Sequence, residues 1–340
     1  MDVLSAPAAK TVILEPGRPS LSVVVPVFNE EEVLPEFHRR LAAVLDALPV
    51  DAEVVYVNDG SSDGSKAFIV AQRNGDPRVA LIDLSRNFGK EIAMSAGLDH
   101  AHGDAVVVID ADLQDPPELI PDMVRAWHEG FDVVLMRRRS RAQESWFKKA
   151  TARAFYRAIG RMGTIDIPEN VGDFRLLSRR AVAALRRFPE RSRFMKGLFA
   201  WIGFPCRELD YDRDGRYAGV TKWNYWRLWN FALEGITSFS VVPLKLASYV
   251  GFATALFAFA YGMYVIGKTL LYGDPVPGYP TLIVVVLFLG GLQLMALGII
   301  GEYLARMFIE VKQRPLYLVQ QALPPTRPLP APQGIVAGDR

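Results

Sequence analysis

Three acids, Asp110, Asp112 and Asp115, follow an apolar run that begins at Val106. Asp110 and Asp112 are two positions apart, so their side chains share one side of the chain if the segment is extended. Gln114 has the same parity and adds a third possible oxygen ligand. Hard cations such as Mg²⁺ and Mn²⁺ prefer oxygen ligands and readily bridge two phosphates of a substrate. The spacing therefore predicts a divalent-metal site at Asp110, Asp112 and Gln114.

Two other interpretations of this stretch are weaker. An EF-hand needs a glycine at the position of Asp115, and two prolines follow that position here. A solvated loop with Asp115 at the start of a helix would also be acidic. Because other strands of the expected sheet also end in acids, the metal site is favoured.

From Leu21 onward, apolar runs alternate with segments of helical spacing, which predicts an α/β domain with a mostly parallel sheet. Ligands of such sheets bind outside the carboxyl ends of the strands. The first strand is expected to end at Asn29 and Glu30, the second within 58–63 and the fourth within 110–112. No glycine-rich nucleotide fingerprint follows a strand, so a nucleotide site would rely on carboxylates and a metal.

Composition excludes several classes of protein. The 340 residues carry a formal net charge of +2, which gives no general reason to expect a nucleic-acid partner. One cysteine and four histidines leave no disulfide framework and no cysteine-based zinc site. The first twenty residues lack the basic and apolar regions of a signal peptide.

Two long apolar stretches begin near Val241 and Thr281, and each is roughly long enough to cross a ~30 Å hydrocarbon core. Buried core helices are the alternative, but apolar residues cover every face of both stretches. The linker Gly273–Pro280 has no Lys or Arg, whereas cations flank the other ends: Arg227, Lys245, Arg306, Lys312 and Arg314. The positive-inside rule then predicts a hairpin with both chain ends in the cytoplasm.

A cationic stretch, Arg213 to Lys222, precedes an aromatic segment that contains Trp223, Trp226 and Trp229. Trp and Tyr favour the membrane interface, so an interfacial helix is expected before the first span. A lipid phosphate at that height would meet Arg and Lys side chains. An ordinary loop followed by an aromatic core helix is the alternative.

Several motifs together resemble the family 2 glycosyltransferases of the GT-A fold. They are VVVPVFNEEEVL, VNDGSSDGS, SRNFGKEIAMSAGLDHAHGDAVVVIDADLQDPPE and GDFRLLSRRAV. The resemblance covers roughly Leu21 to Tyr317 and extends to polyprenyl-phosphate glycosyltransferases, which include GtrB-type glucosyltransferases and dolichol-phosphate mannose synthases. It implies a nucleotide-sugar donor, a Mg²⁺ or Mn²⁺ cofactor, a polyprenyl-phosphate acceptor and inversion at the anomeric carbon.

The resemblance also implies roles for individual residues. Asp173 takes the position of the proposed catalytic carboxylate, acting either as a base or as a positioning group, and Arg175 follows in the same motif. Arg86 and Lys90 either contact donor phosphate or only cap a helix. The remaining residues fall into three groups: Pro26, Phe28, Glu30, Asp59, Asp110 and Ala111 for the donor; Asp110, Asp112 and Gln114 for the metal; Arg213, Arg216 and Lys222 for the acceptor phosphate.

Other activities fit the sequence less well. A processive polysaccharide synthase would carry a Q-x-x-R-W motif and more membrane spans, and a hydrolase would need a water nucleophile. A non-catalytic scaffold would not need the intact acidic motif and Asp173. UDP-glucose is the expected donor, with GDP-mannose or another UDP-sugar, such as an amino sugar, as the alternative.

The expected organisation is a catalytic GT-A domain attached to a hairpin in the cytoplasmic membrane, with the catalytic domain in the cytoplasm. Two-span relatives often assemble, so a homo-oligomer is expected. The expected segments are an N-terminal tail (1–20), the catalytic domain (21–215), an interfacial amphipathic segment (216–240), two transmembrane helices (241–308) and a Pro-rich C-terminal tail (309–340), expected to be disordered after Gln321.

Overall fold

The computed structural model of the chain describes residues 18–139, 171–188, 190–191, 193, 195–212, 242–272 and 278–329. Its strands in chain order are β1 (Ser20–Val27), β2 (Asp51–Asn58), β3 (Val79–Leu84), β4 (Ala105–Val108), β5 (Val133–Arg138), β6 (Val171–Ser178), β7 (Cys206–Tyr211) and β8 (Val319–Leu323). They form one sheet in the order β7-β5-β6-β4-β1-β2-β3-β8.

The helices lie between the strands and after them. They are α1 (Leu34–Ala47), α2 (Ser65–Gly75), α3 (Lys90–His100), a 3₁₀ turn (Pro117–Leu119) leading into α4 (Ile120–His128), α5 (Arg179–Arg186), α6 (Met195–Trp201), α7 (Val242–Tyr272) and α8 (Tyr279–Lys312). The alternation of strands and helices predicted from Leu21 onward is present through β4.

The centre of the sheet is parallel, as expected. β1 pairs with β2 and β4, and β2 pairs with β3, all in parallel register. β6 runs antiparallel between β4 and β5, which reverses the direction of the chain beside the end of β4. This reversal brings the start of β6 to the same sheet edge as the acids that follow β4.

Apolar layers cover both faces of the sheet. On one face, α1 buries Leu34, Phe37, Leu41 and Leu45, which recur at helical spacing. On the other face, α3 packs so closely that a Cβ at Gly97 would lie 2.2 Å from a methyl carbon of Val24. The absence of a side chain at Gly97 therefore lets α3 approach β1 closely.

The C-terminal tail differs from the expectation. β8 pairs antiparallel with the edge of β3, and the Arg73 guanidinium donates a 2.8 Å hydrogen bond to the Pro324 carbonyl. The prediction of disorder after Gln321 is therefore wrong for the first residues of this segment. The exposed edge of β3 offers unpaired backbone groups, and pairing with β8 satisfies them.

The helices α7 and α8 are long and apolar enough to cross a membrane. Their candidate spans, Leu244–Tyr264 and Phe288–Lys312, each have a mean hydropathy of 1.5. Neither span is buried inside the protein, which argues against the core-helix alternative. Near the end of α8, a Glu310 carboxylate accepts a 2.8 Å hydrogen bond from the Arg191 amide.

Candidate active site

Two carboxylates from distant segments of the chain meet at one lysine. In the register of β4 with β6, Val108 lies opposite Arg175, so Asp173 lies just beyond the end of β4 beside Asp110. Lys90 begins α3, and its Nζ lies 2.7 Å from Asp110 Oδ2 and 2.5 Å from Asp173 Oδ2. The helix-capping interpretation of Lys90 is therefore insufficient, because its ammonium bridges the candidate metal ligand and the candidate catalytic carboxylate.

The bridge affects the two carboxylates differently. Burial raises the pKa of Asp110 to about 6, although the Lys90 ammonium opposes this rise. Burial would also raise the pKa of Asp173, but Lys90 and then Lys196 hold it well below its ordinary value. Within the described ranges, Asp173 Oδ1 is buried and has no hydrogen-bond partner. Asp173 is therefore an ionised carboxylate, and one of its oxygens has no hydrogen-bond partner among the described residues.

Arg175 lies beneath this pair and is only 3 % exposed. Its guanidinium donates to the Gly172 carbonyl at 2.7 Å and to the Asp173 carbonyl at 3.3 Å, and it stacks over the Phe199 ring at 3.8 Å. Burial lowers its pKa to about 10. These contacts make Arg175 a support for the backbone around Asp173.

The segment after β4 is a turn, which corrects the expected extended geometry. β4 ends at Val108, Leu113 has a left-handed φ of 58°, and Asp112 accepts a 3.2 Å hydrogen bond from the Gln114 amide. Asp110, Asp112 and Gln114 nevertheless are all partly exposed, whereas the intervening Ala111 and Leu113 are buried. All three oxygen-bearing side chains are therefore partly exposed, but they follow one another in a turn and not in an extended strand.

This oxygen set fits a hard cation. Among the residues that the structure describes, no three His, Cys, Asp or Glu side chains form a metal cluster. The expected set combines two aspartates with the amide of Gln114, so substrate phosphate would have to complete it. The metal assignment stays a prediction.

Asp115 has a structural role instead of capping a solvated helix. It is fully buried, and the Tyr211 hydroxyl of β7 donates a hydrogen bond to its carboxylate. This contact attaches the acidic turn to β7, which is an edge strand of the sheet. Burial, followed by the charge of Asp115, raises the pKa of Tyr211.

Asp59 holds the loop that precedes α3. Its two carboxylate oxygens accept hydrogen bonds from the amides of Phe88 (2.7 Å) and Gly89 (2.9 Å). Gly60 has a φ of 68°, and a Cβ there would lie 2.6 Å from the backbone of Arg86. The NDG sequence after β2 therefore positions the loop that carries Lys90 into the site, and contact between Asp59 and the donor stays a prediction.

The ends of β1 and β2 are joined beside this loop. Asn29, at a left-handed φ of 55°, accepts a 2.8 Å hydrogen bond from the Ser62 amide, and the Ser65 hydroxyl accepts one of 3.0 Å from the Glu30 amide. Phe28 is exposed at this edge and Pro26 is partly buried. The predicted donor residues thus lie around one sheet edge.

Arg86 remains at the surface of the loop. Its guanidinium donates a 2.9 Å hydrogen bond to the Asn87 carbonyl and lies 4.0 Å from the Phe88 ring centre. The Arg86 guanidinium thus contacts its own loop. Its contact with donor phosphate stays a prediction.

Sequence reasoning missed two ionisable residues of the site, Glu91 and Lys196. The Glu91 carboxylate accepts a 3.1 Å hydrogen bond from the Met195 amide, and its pKa is raised to about 7 by burial and then by Asp173. Lys196 is the next residue of α6 and is half-buried. Glu91 lies inside a quoted motif, directly after Lys90, and that adjacency could have indicated it, whereas Lys196 lies outside all the quoted motifs.

The three predicted acceptor cations, Arg213, Arg216 and Lys222, lie outside the described residues. The same holds for the expected interfacial segment 216–240 and most of the linker between the two apolar helices. Their roles stay predictions.

Comparison with known proteins gives two family matches in the expected order. Residues 22–186 match the model of glycosyl transferase family 2, and residues 242–307 match the GtrB C-terminal hairpin. The first region contains the Lys90, Asp110 and Asp173 cluster, and the second contains most of α7 and α8.

Three relatives match over nearly their whole length. An uncharacterized glycosyltransferase of Synechocystis sp. is 53 % identical over 88 % of this chain and 94 % of its own. The SfII prophage-derived bactoprenol glucosyl transferase of Shigella flexneri is 48 % identical over 89 % of this chain and 98 % of its own. A prophage bactoprenol glucosyl transferase homolog of Escherichia coli K12 is 46 % identical over 88 % and 98 %. The chain therefore belongs to glycosyltransferase family 2 and is a GT-A glycosyltransferase with a GtrB-type C-terminal hairpin.

Proposed function

We propose that this enzyme transfers one glucosyl residue from UDP-glucose to polyprenyl phosphate, with inversion at the anomeric carbon. The observation that carries the proposal is the similarity to relatives named bactoprenol glucosyl transferase, at 46–48 % identity over 98 % of their length. Bactoprenol is a polyprenol, so its phosphate supplies the acceptor. In one displacement, a phosphate oxygen bonds to the anomeric carbon while the bond to UDP breaks, and UDP leaves with the electron pair.

The ionisation of Asp173 supports a positioning role in this reaction. An acceptor phosphate is already an anion near neutral pH, so it needs orientation more than deprotonation. The low pKa of Asp173 makes it a poor proton acceptor, and a hydroxyl of the sugar would supply the hydrogen bond that its Oδ1 lacks among the described residues. We therefore assign Asp173 to orienting the glucosyl group, with Arg175 fixing its backbone.

Asp110, Asp112 and Gln114 would hold Mg²⁺ or Mn²⁺ in this scheme. Their carboxylate and amide oxygens match the ligands that these cations prefer. A bound cation would stabilise the negative charge on the UDP leaving group. Lys90 provides a fixed positive charge beside the same carboxylates, which limits the repulsion between Asp110 and Asp173.

The donor would lie along the edge formed by the ends of β1 and β2. Phe28 is exposed there and offers an apolar surface to the base, while Pro26, Glu30 and Asp59 would line the base and ribose. Arg86 and Ala111 would complete the donor site. If the site binds guanine, GDP-mannose is the donor instead of UDP-glucose. Any other UDP-sugar would make the same contacts through its uracil.

We further propose that α7 and α8 anchor the enzyme in the cytoplasmic membrane, with the catalytic domain in the cytoplasm. Their apolar spans and the match to the GtrB hairpin support this placement. The acceptor phosphate would then lie near the membrane surface, where Arg213, Arg216 and Lys222 are expected to meet it. We also propose that the enzyme forms a homo-oligomer.

A donor panel tests the function. The purified full-length enzyme is incubated in detergent with undecaprenyl phosphate, Mg²⁺ and radiolabelled UDP-glucose, UDP-galactose, UDP-N-acetylglucosamine or GDP-mannose. We expect a lipid-linked monosaccharide from UDP-glucose, with the β-configuration by NMR because the donor is α-linked. Selective use of another donor would change the sugar assignment, and a polymeric product would contradict single-sugar transfer.

A further inference from the structure

A half-buried lysine close to Asp173 has no partner among the residues that the structure describes. Lys196 Nζ forms no hydrogen bond or ion pair with any residue in the part of the chain that the structure describes. Its side chain lines a cavity of about 150 Å³, whose wall also contains Arg175 and Phe199. None of the family motifs in the sequence includes this lysine.

The position of Lys196 is fixed from both sides of its helix. The Met195 amide donates to the Glu91 carboxylate of α3, and the Phe199 ring lies against the Arg175 guanidinium. Leu198 is almost fully buried between these contacts. The short helix α6 is thus attached to both α3 and β6, so the Lys196 side chain is held beside the site.

The neighbouring cations are already satisfied. Lys90 bridges Asp110 and Asp173, and Arg175 donates to two backbone carbonyls. The charge of Lys196 helps to lower the pKa of Asp173 and opposes the rise in the pKa of Glu91, so Lys196 acts on both carboxylates without direct pairing. Lys196 is therefore a cation of this cluster whose hydrogen-bond donors remain available.

A partly desolvated ammonium without a partner is unfavourable, and an anionic ligand would relieve that cost. In the proposed reaction, both the donor and the acceptor present phosphate oxygens. We propose that the Lys196 ammonium, at the cavity lined by Arg175 and Phe199, binds a phosphate oxygen of the reacting complex. The assignment of this ligand to UDP-glucose or polyprenyl phosphate rests on the proposed function, whereas the anion site itself rests on the geometry.

Binding measurements on the full-length enzyme in detergent test this site without relying on turnover. The probes are UDP with Mg²⁺ for the donor and farnesyl phosphate for the acceptor, each titrated calorimetrically. Lys196→Gln and Lys196→Met remove the charge, Lys196→Arg keeps it, and Arg187→Gln removes an exposed charge elsewhere as the matched control. Melting temperatures identify any variant that fails to fold. Two different neutral substitutions are used so that the test can still be made if one of them does not fold.

We expect both neutral variants to weaken one probe by about ten- to a hundredfold, the usual effect of losing a charged hydrogen bond. Lys196→Arg should retain most of the affinity, and Arg187→Gln should match the wild type. Weaker UDP binding assigns the site to the donor diphosphate, and weaker farnesyl phosphate binding assigns it to the acceptor. Unchanged affinity for both probes in a folded neutral variant would overturn the proposal. A wild-type enzyme that binds these probes but does not glucosylate polyprenyl phosphate would instead contradict the proposed function alone.

Discussion

Lys90 and Asp173 form a 2.5 Å ion pair that joins the first residue of α3 to β6. The same ammonium also contacts Asp110, so one positive charge lies between two partly buried carboxylates. Burial lowers the pKa of Lys90, but the two carboxylates together outweigh this effect and raise the pKa above its ordinary value. The lysine therefore stays charged and holds the two aspartates together before any substrate binds.

Replacing Lys90 should weaken catalysis and increase the dependence of the fold on metal. We expect Lys90→Gln to lower kcat/KM by about ten- to a hundredfold, since charged hydrogen bonds are lost. Because Asp110 and Asp173 would then repel each other, Mg²⁺ should raise the melting temperature more in the variant than in the wild type. Arg125→Gln, which removes an exposed cation, is the control. Equal metal-induced shifts in the two proteins would show that Lys90 does not balance these carboxylates.

The metal assignment predicts a different pattern for Asp112. Asp112→Asn should keep the melting temperature of the metal-free protein but remove most activity, because a neutral amide is a poorer ligand for a hard cation. EDTA should abolish wild-type activity, and Mg²⁺ or Mn²⁺ should restore it. Asp122→Asn, at an exposed position of α4, serves as the control. Full turnover in the chelator would exclude the proposed metal.

Glu91 should make stability depend on pH. Its pKa is raised in the folded chain to about 7 from an ordinary value of 4.5, so the folded state binds more protons between these values. The contribution of Glu91 to the free energy of unfolding is fully present below about pH 4.5 and is lost as the pH rises towards 7. Glu91→Gln stays neutral and keeps an acceptor for the Met195 amide.

The melting temperature of Glu91→Gln relative to wild type should therefore increase as the pH is raised from 5 to 7.5. Thermal melting at several pH values measures this difference, with Glu129→Gln as an exposed control on the end of α4. A constant difference across the range would mean that Glu91 titrates near its ordinary value in the folded protein.

Much of the fold was predictable because each central strand is a continuous apolar run with polar residues immediately after it. LSVVVPVF became β1, and the run through Val106 became β4, with Asp110 just after its end. Since parallel strands end at one edge, the clustering of Asn29, Asp59 and Asp110 near that edge followed from the pattern.

The contacts within the site were not predictable in the same way. The Lys90 bridge needs the reversed direction of β6, which places Asp173 beside Asp110, and strand direction leaves no local mark in sequence. Lys196 sits on a seven-residue helix whose position depends on Glu91 and Arg175. These relationships arise from tertiary packing between distant segments.

The hairpin prediction can be tested by accessibility. The exposed Cys206 is first replaced by Ser, and a cysteine is then introduced by Tyr279→Cys at the start of α8. An impermeant thiol reagent added to spheroplasts should label this variant, because the linker before α8 is expected outside. A matched Arg187→Cys variant, in the catalytic domain, should react only after lysis. Labelling of Tyr279→Cys only after lysis would contradict the proposed topology.

β8 should stabilise the catalytic domain, although it follows the membrane hairpin in the sequence. It covers the edge of β3, and the Ser85 amide donates a 2.9 Å hydrogen bond to the Leu318 carbonyl just before it. The Tyr317 hydroxyl donates to Asp99 of α3 at 2.9 Å, so the segment also attaches α8 to the helix that carries Lys90.

A chain that stops after Arg314 should therefore melt at a lower temperature and aggregate more readily, because it exposes the edge of β3. A chain that stops after Leu329 keeps β8 and its contacts, and it should melt like the full-length protein. Both truncations leave α7 and α8 complete, so the comparison separates sheet pairing from membrane anchoring. Light scattering and thermal melting in detergent measure the two effects. Equal melting temperatures for the two truncated chains would show that β8 pairs with β3 without stabilising the sheet.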